Sequence, residues 1–282
     1  MNSQRLPAVS GPYPAESGVD VQTGIPTGVF AIGRTGDARV DGILSGYAWA
    51  ATRLNYSAPD AASDYGADYP HSLAGLKALT ADRIQALHFV LNTTTYNPGG
   101  VASGVFSVEA FTNLSTTYTA GGSGAATLRY ASKSTIGGSE SFLPAVDDPR
   151  AGDAFFNDYQ SMQQGGSGYL RLMREVGHTL GLGYTEEPGR YGPVPTNFDT
   201  YEYTVMSSRA YPGGPMGGAI DSSSAPQTWM MLDIAALQHM YGADYTANSG
   251  NTVYTWGEAD GASYVNGTNV LHPTGNKIFM TI

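Results

Sequence analysis

The fold of this chain is decided by the stretch Arg174-Glu175-Val176-Gly177-His178-Thr179-Leu180-Gly181-Leu182-Gly183-Tyr184. It is comparable to the His-Glu-x-x-His pattern, in which two histidines one helical turn apart hold a zinc ion and the glutamate acts as general base. A longer form adds a glycine that ends the helix and a third histidine after the turn. The glutamate, the second histidine and the glycine are present, but Arg174 stands at the first histidine position and Tyr184 at the third. The stretch therefore predicts a helix over about 169–182 that carries a defective metal site.

Hydrophobic spacing predicts two further helices, over about 81–92 after Thr80 and over about 229–241. Runs rich in β-branched or alternating residues predict strands at 54–58, 105–108, 127–130, 253–256 and 278–282. A glycine-rich turn at 121–124 divides the second and third of these runs, and residues 183–228 are predicted to be mostly loop.

The composition excludes several classes of protein. Twenty-four acidic residues against 14 basic residues give a net charge of −10, so the chain has no general attraction for nucleic acid or anionic membranes. No apolar run reaches the roughly 18 residues that a membrane span needs. The chain has no cysteine, which excludes disulfides and cysteine-ligated zinc.

Several ordered motifs accompany the central stretch, at residues 44–49, 54–58, 152–156, 203–208 and 233–243. Together these segments resemble the protease domain of the serralysins, bacterial metzincins of peptidase family M10, over about residues 30–282. The resemblance implies an α+β, metzincin (zincin-like) fold: a twisted five-stranded mixed sheet with two long helices and a smaller, loop-rich lower lobe. We expect an extended N-terminal arm at 1–28, rich in Pro, Gly and Ser, and a serralysin-like domain at 29–245. Residues 246–282 would then form the junction toward a C-terminal calcium-binding repeat domain missing from this chain.

The resemblance also implies where a metal site would lie. Serralysins hold zinc with the three histidines of the motif and with a tyrosine two residues after the methionine of the Met-turn. The matching positions here are Arg174, His178, Tyr184 and Ser208. Arginine has no lone pair to offer and stays charged, and a catalytic zinc needs about three protein ligands and a water. We therefore expect no zinc cofactor, with His178 as a vestige of the site.

The absence of zinc also determines what we expect of two further residues of this region. Without an ion, Glu175 has no activated water to deprotonate, so we expect it to be vestigial. Residues 203–208 resemble the Met-turn of the family, and Met206 within this segment is expected to be a core residue. The guanidinium of Arg174 is expected either to replace the charge of the metal, by bonding to Glu175, another carboxylate or Tyr184, or to turn out into solvent.

These expectations favour a catalytically inactive pseudoprotease domain, acting as a binding or structural module with a metal-free cleft. Its ligand would be a peptide or protein, bound by strand addition along an edge strand near residues 128–132. One alternative is a repurposed hydrolase that uses Arg174, Glu175, His178 and Tyr184 on an anionic substrate. A second alternative is a divergent zinc metalloendopeptidase.

Calcium is a further candidate cofactor. Residues 248–254 resemble the junction in which serralysin backbone carbonyls, here those of Asn248, Gly250 and Thr252, help to hold calcium. The resemblance also implies an extracellular protein, exported without an N-terminal signal peptide by a C-terminal signal outside this chain.

The remaining titratable candidates are expected to be structural. His88 and His239 lie in apolar helical patterns and are predicted to be packing residues, while His71 and His272 are predicted to lie in loops. The carboxylate pairs at 147–148 and 186–187 are predicted to be solvated.

Overall fold

The computed structural model describes residues 15–19, 26–92, 104–120, 126–158, 162–187, 189–217, 223–247, 249–273 and 277–282. The glycine-rich turn predicted at 121–124 lies outside these residues, as do most of the arm at 1–28 and Asn248.

The described residues form five α-helices and twelve strands. The helices are α1 (Ala38–Asp41), α2 (Ala81–Leu91), α3 (Val108–Phe111), α4 (Ser167–Thr179) and α5 (Met231–Tyr241). The strands are β1 (Ala15–Val19), β2 (Pro26–Ala31), β3 (Tyr47–Trp49), β4 (Arg53–Ser57), β5 (Leu76–Lys77), β6 (Ser115–Thr119), β7 (Leu128–Lys133), β8 (Ser139–Ser141), β9 (Asp153–Phe156), β10 (Tyr254–Trp256), β11 (Ser263–Val265) and β12 (Thr268–Leu271). The architecture is a mixed α+β fold, as predicted.

The central sheet has six strands among the described residues, one more than the five expected. Five of them follow the order β6-β4-β7-β9-β8, and β5 pairs with β7 beside this path. Strands β4, β6, β7 and β9 are parallel, whereas β5 and β8 run antiparallel to their neighbours. This mixed sheet leaves the short strand β8 at one edge, next to α4.

The expectation of an edge strand near residues 128–132 is wrong. Strand β7 covers this segment, and it pairs with β9 on one side and with β4 and β5 on the other. All six of its residues are buried. A strand that is hydrogen-bonded to neighbouring strands on both sides has no free edge for an incoming peptide.

The sheet is covered on both faces. Alternate residues of β9 divide between two cores, since Ala154 and Phe156 join the main core with the helices, whereas Phe155 packs with Tyr65 in a smaller one. Tyr65 ends a short 3-10 turn, Ala62–Tyr65, in the segment that covers this second face. The alternation follows from the period of two along a strand.

Helices α2, α4 and α5 confirm the three helices predicted from hydrophobic spacing, within a few residues at each end. Helix α4 ends at Thr179 with Leu180 as its C-cap, and Gly181 follows with φ +109. A side chain at Gly181 would collide with the Tyr47 carbonyl, so glycine both adopts this φ and allows the close approach. The turn directs the chain from the helix to Tyr184.

Two predicted strands are wrong. Residues 104–107 form bends and α3 begins at Val108, so the run 105–108 is not a strand. Residues 278–282 have no regular strand structure, although the Phe279 carbonyl accepts a hydrogen bond from the Gln227 amide. Short apolar runs of this kind do not distinguish a strand from other buried segments.

The N-terminal region contains paired strands. Strand β1 pairs antiparallel with β2, and β2 pairs with β3. The boundary predicted at residue 28 therefore lies inside β2 rather than before the packed region. The division into domains otherwise stays a prediction.

The C-terminal segment forms a second small sheet, in which β10, β11 and β12 pair in order. Of these strands, the sequence predicted β10 alone. No described helix combines the length and the apolar character that crossing a bilayer requires.

Candidate functional site

The candidate site lies along one stripe of α4, opposite the edge strand β8. Arg171, Arg174, Glu175 and His178 are spaced i, i+3, i+4 and i+7, which places them on the same face of the helix. We call these four residues the α4 stripe. The loop after α4 adds Tyr184 to the same region, because Gly181 turns the chain back.

Glu175 is surrounded by hydroxyl groups and is largely buried, with 5% of its surface exposed. Its carboxylate accepts hydrogen bonds from Ser139 Oγ at 2.6 Å, from Tyr184 OH at 2.5 Å, and from Ser141 Oγ. Both serines belong to β8. The edge strand is thereby attached to α4 through the residue that would be the general base of the motif.

Arg174 makes its contacts on the other side of the stripe, with the Met-turn and the loop after α4. Its guanidinium donates to the Ser207 carbonyl, to Ser208 Oγ at 3.1 Å, and to Glu186 Oε1 at 2.7 Å. The side chain is 13% exposed, so the expectation that it turns into solvent is wrong. Its carboxylate partner is Glu186, and no hydrogen bond from Arg174 to Glu175 is present among the described residues.

The carboxylate pair at 186–187 is exposed, as predicted. Glu186 nevertheless has defined partners, since it accepts from both Arg174 and Ser208 Oγ, the latter at 2.6 Å.

Tyr184 lies between the two halves of the site. Its ring stacks on the His178 imidazole with centroids 4.5 Å apart and an angle of 8° between the planes. The guanidinium carbon of Arg174 lies 5.0 Å from the centroid of the same ring, within cation–π range. Burial, together with the Glu175 charge, raises the pKa of Tyr184 above its usual range, so the phenol keeps its proton.

Hydrogen bonding determines the tautomer of His178. Ser141 and Tyr184 both direct their protons to Glu175, so Ser141 Oγ can only accept from His178 Nδ1, which lies 3.0 Å away. We therefore assign the proton to Nδ1. Burial lowers the pKa of His178 to about 4, so the imidazole is neutral at pH 7.

The floor of the site is the Met-turn, and Asp233 holds it against α5. The Asp233 carboxylate accepts from Thr204 Oγ1 at 2.5 Å and from the amides of Val205 and Met230 at 2.9 Å each. Met206 is completely buried, as predicted for a core residue. A Cβ on Gly177 of α4 would lie 3.0 Å from the Met206 sulfur, so helix and turn are in tight contact.

The donor groups at this site do not fit a zinc ion. Of the four positions that correspond to ligands, His178 supplies an imidazole, whereas Arg174 supplies a cation and Tyr184 and Ser208 supply hydroxyls that are already hydrogen-bonded. No group of three or more His, Asp or Glu side chains in the described part of the chain is arranged to hold a metal. A protonated phenol and a serine do not replace two imidazoles.

The candidate calcium residues lie after α5, far along the chain from this site. The Thr252 amide donates a hydrogen bond of 2.9 Å to the Gly250 carbonyl. Asn248 is outside the described residues, and calcium binding stays a prediction.

The other histidines mostly have the structural roles expected of them. His88 is buried and hydrogen-bonded to Tyr56 OH. His239 is exposed rather than packed, with Nε2 2.9 Å from the Gly33 carbonyl. His71 lies in a loop, as predicted, but also contacts Glu140 at 2.8 Å and Lys133 at 3.0 Å.

Four residues of the site were not identified as site residues from the sequence: Ser139, Ser141, Glu186 and Arg171. The serines lie 34 and 36 residues before Glu175, in a strand too short to be recognised by alternation. Of these four residues, Arg171 could have been identified from the sequence, since it lies three residues before Arg174 and so on the same helical face.

Comparisons with known proteins agree with the resemblance seen in the sequence. Serralysin from Proteus mirabilis is 33% identical over 135 residues, which cover 42% of this chain and 26% of the relative. Serralysin G from Dickeya chrysanthemi is also 33% identical over 135 residues, covering 44% of this chain and 27% of the relative. Metalloprotease AprA from Pseudomonas entomophila is 36% identical over 155 residues, covering 48% of this chain and 30% of the relative.

No protein-family model matches the chain. The matched region spans less than a third of the length of each of these three relatives. Over part of its length, the chain is similar to serralysin-type metalloproteases.

Proposed function

We propose that this chain is a serralysin-like, metzincin-type domain that does not hydrolyse peptide bonds and acts as a binding module through a metal-free site. The observation that carries the proposal is the position of Arg174. Arg174 stands at the sequence position of the first zinc-binding histidine, and its guanidinium is held by Ser207, Ser208 and Glu186. A fixed positive charge at this point repels a divalent cation.

The environment of Glu175 supports the same proposal. A general base must have a free oxygen within reach of the water or hydroxyl that it deprotonates. Here three hydroxyl groups already donate to the carboxylate. The arrangement joins β8 to α4, which suits a structural role.

The geometry of β8 favours a polypeptide as the ligand. The Gly138 carbonyl accepts from the Asn157 amide and the Phe142 amide donates to the Asp153 carbonyl, so even-numbered positions bond to β9. In an antiparallel pair, the N–H and C=O groups of the alternate residues, here Ser139 and Ser141, then point outward. An extended segment of another chain can form a strand along this edge. In accordance with the resemblance, we place the domain outside the cell.

The metal-free part of the proposal is tested by measuring zinc and activity together. Protein purified without chelators and then incubated with zinc should contain far less than one zinc per chain by mass spectrometry. It should also leave casein and fluorogenic peptides intact. Stoichiometric zinc, or casein cleavage that disappears in Glu175→Gln, would instead establish the divergent metalloendopeptidase.

A repurposed hydrolase is the second candidate, because Ser141 Oγ contacts both Glu175 and His178 Nδ1. This cluster differs from a Ser-His-Asp triad, in which the acid orients the imidazole and the imidazole takes the serine proton. Here the Ser141 proton points to the carboxylate. Labelling by a fluorophosphonate probe that is lost in Ser141→Ala would favour this hydrolase, whereas no labelling supports the binding module.

A further inference from the structure

Arg171 differs from the other three residues of the α4 stripe in having no hydrogen-bond or ion-pair partner in the described part of the chain. Arg174, Glu175 and His178 each form hydrogen bonds to neighbouring side chains. Arg171 forms no hydrogen bond or ion pair with any of the residues that the structure describes, although it is only partly exposed. Its five N–H donors are therefore available to a ligand.

Gly138, immediately before β8, accommodates this guanidinium. A Cβ at Gly138 would collide with Arg171 Nη1, and the next nearest atom is the guanidinium carbon of the same residue. The space that a side chain would fill is thus occupied by the Arg171 head group. This contact places the unpartnered cation at the beginning of the edge strand that is open to pairing.

No carboxylate of the described residues forms an ion pair with Arg171. Glu186 is engaged by Arg174, and Glu175 by its three hydroxyl donors. Burial raises the pKa of the nearby Tyr201, and the charges of Arg174 and Arg171 oppose that rise. Arg171 thus lies beside an open strand edge without a carboxylate partner among the residues described, in a chain of net charge −10, and this favours an anionic group on the ligand.

We propose that Arg171 binds a carboxylate of the polypeptide that pairs with β8, so that the site selects acidic peptide segments. The inference rests on the proposed binding function and specifies its ligand. A guanidinium binds a carboxylate through two parallel hydrogen bonds, which gives both orientation and selectivity. The carboxylate comes from an acidic side chain or from a peptide C-terminus.

The experiment measures the binding of dye-labelled heptapeptides by fluorescence polarisation. One set consists of amide-ended peptides of threonine and valine in which glutamate occupies each position in turn, and a matched set carries glutamine instead. A further peptide has neutral side chains and a free C-terminal carboxylate. We expect at least one glutamate peptide, or the free-carboxylate peptide, to bind about tenfold more tightly than its neutral counterpart.

The variant Arg171→Gln should reduce this preference to less than about twofold while leaving the affinity for neutral peptides unchanged. Arg53→Gln is the matched control, because Arg53 is also exposed and unpaired in the described structure but lies on β4, across the sheet from β8. It should keep the full preference. A thermal melt of each variant verifies folding.

The outcomes separate this inference from the function on which it rests. Equal binding of acidic and neutral peptides overturns the role of Arg171 and leaves the binding module intact. A preference that persists in Arg171→Gln also overturns it. If no peptide of any set binds, the proposed binding function fails, and this inference fails with it.

Discussion

Arg174 Nη2 lies 2.7 Å from the carboxylate of Glu186, across the turn that follows α4. The two side chains are 13% and 26% exposed, so the pair is partly shielded from water. It joins the helix to the loop that contains Tyr184 and, through Ser208, to the Met-turn. Changing one partner of this ion pair tests whether it stabilises the site.

Removing Glu186 should weaken the loop after α4. The change Glu186→Gln leaves the Arg174 charge without its carboxylate, and we expect the free energy of unfolding to fall by about 1 to 2 kcal/mol. Urea denaturation measures this difference. The neighbouring Glu187→Gln is the control, because the Glu187 side chain has no partner among the described residues, and the change should alter stability by less than about 0.5 kcal/mol. Equal effects of the two changes would contradict the structural role of the pair.

Restoring histidines at two positions should restore metal binding. The double variant Arg174→His with Tyr184→His removes the guanidinium and supplies three imidazoles with His178, the number that a zinc site of this type uses. We expect about one zinc per chain by mass spectrometry. Arg174→His alone is the control and should bind far less. Absence of zinc in the double variant would mean that the backbone around the site has itself diverged.

Acid should destabilise the fold through its buried histidines. Burial lowers the pKa of His88 to about 4, below the value of roughly 6.5 in an unfolded chain. The unfolded state then binds more protons between pH 6.5 and 4, so stability is fully present above pH 6.5 and is lost as the pH falls through this window. His178, with a pKa of about 4, acts in the same direction.

The contribution of His88 can be isolated by comparing pH profiles. Between pH 7 and 5, this group should account for about 2 kcal/mol of lost stability, and His88→Asn should lose correspondingly less. Burial raises the pKa of Asp233 to about 6, which opposes the trend, but this effect is the same in both proteins and cancels. His239→Asn, an exposed position, is the control. Parallel profiles for wild type and His88→Asn would refute the prediction.

The Met-turn should depend on Asp233. The change Asp233→Ala leaves Thr204 Oγ1 and the amides of Val205 and Met230 without their buried acceptor, at a cost of about 3 kcal/mol. The midpoint of urea unfolding reports this loss. Asp82→Ala, at an exposed position in the first turn of α2, should be nearly neutral by comparison. A similar midpoint for both variants would show that the turn is held by other contacts.

The sequence correctly predicted features of the structure that depend on the spacing of residues within one helix. Helices α2, α4 and α5 follow from apolar residues at helical intervals, because a helix buries one face along its whole length. The same spacing placed Glu175 and His178 one above the other and identified Arg174 at a position where zinc ligation requires a histidine. It failed for the runs 105–108 and 278–282, which are too short for their periodicity to distinguish a strand.

The partners of these residues were decided by the tertiary structure alone. Ser139 and Ser141 reach Glu175 because the antiparallel strand β8 lies beside α4, and no local pattern specifies that pairing. Glu186 meets Arg174, and Gly138 makes room for Arg171, because the turn at Gly181 and the order of the sheet bring separate segments together. The sequence by itself determined that the motif lacks two of its histidines, since residue identity does not depend on folding. Which side chains surround these positions depends on which residues are neighbours in space, and the packing of the sheet against α4 determines that.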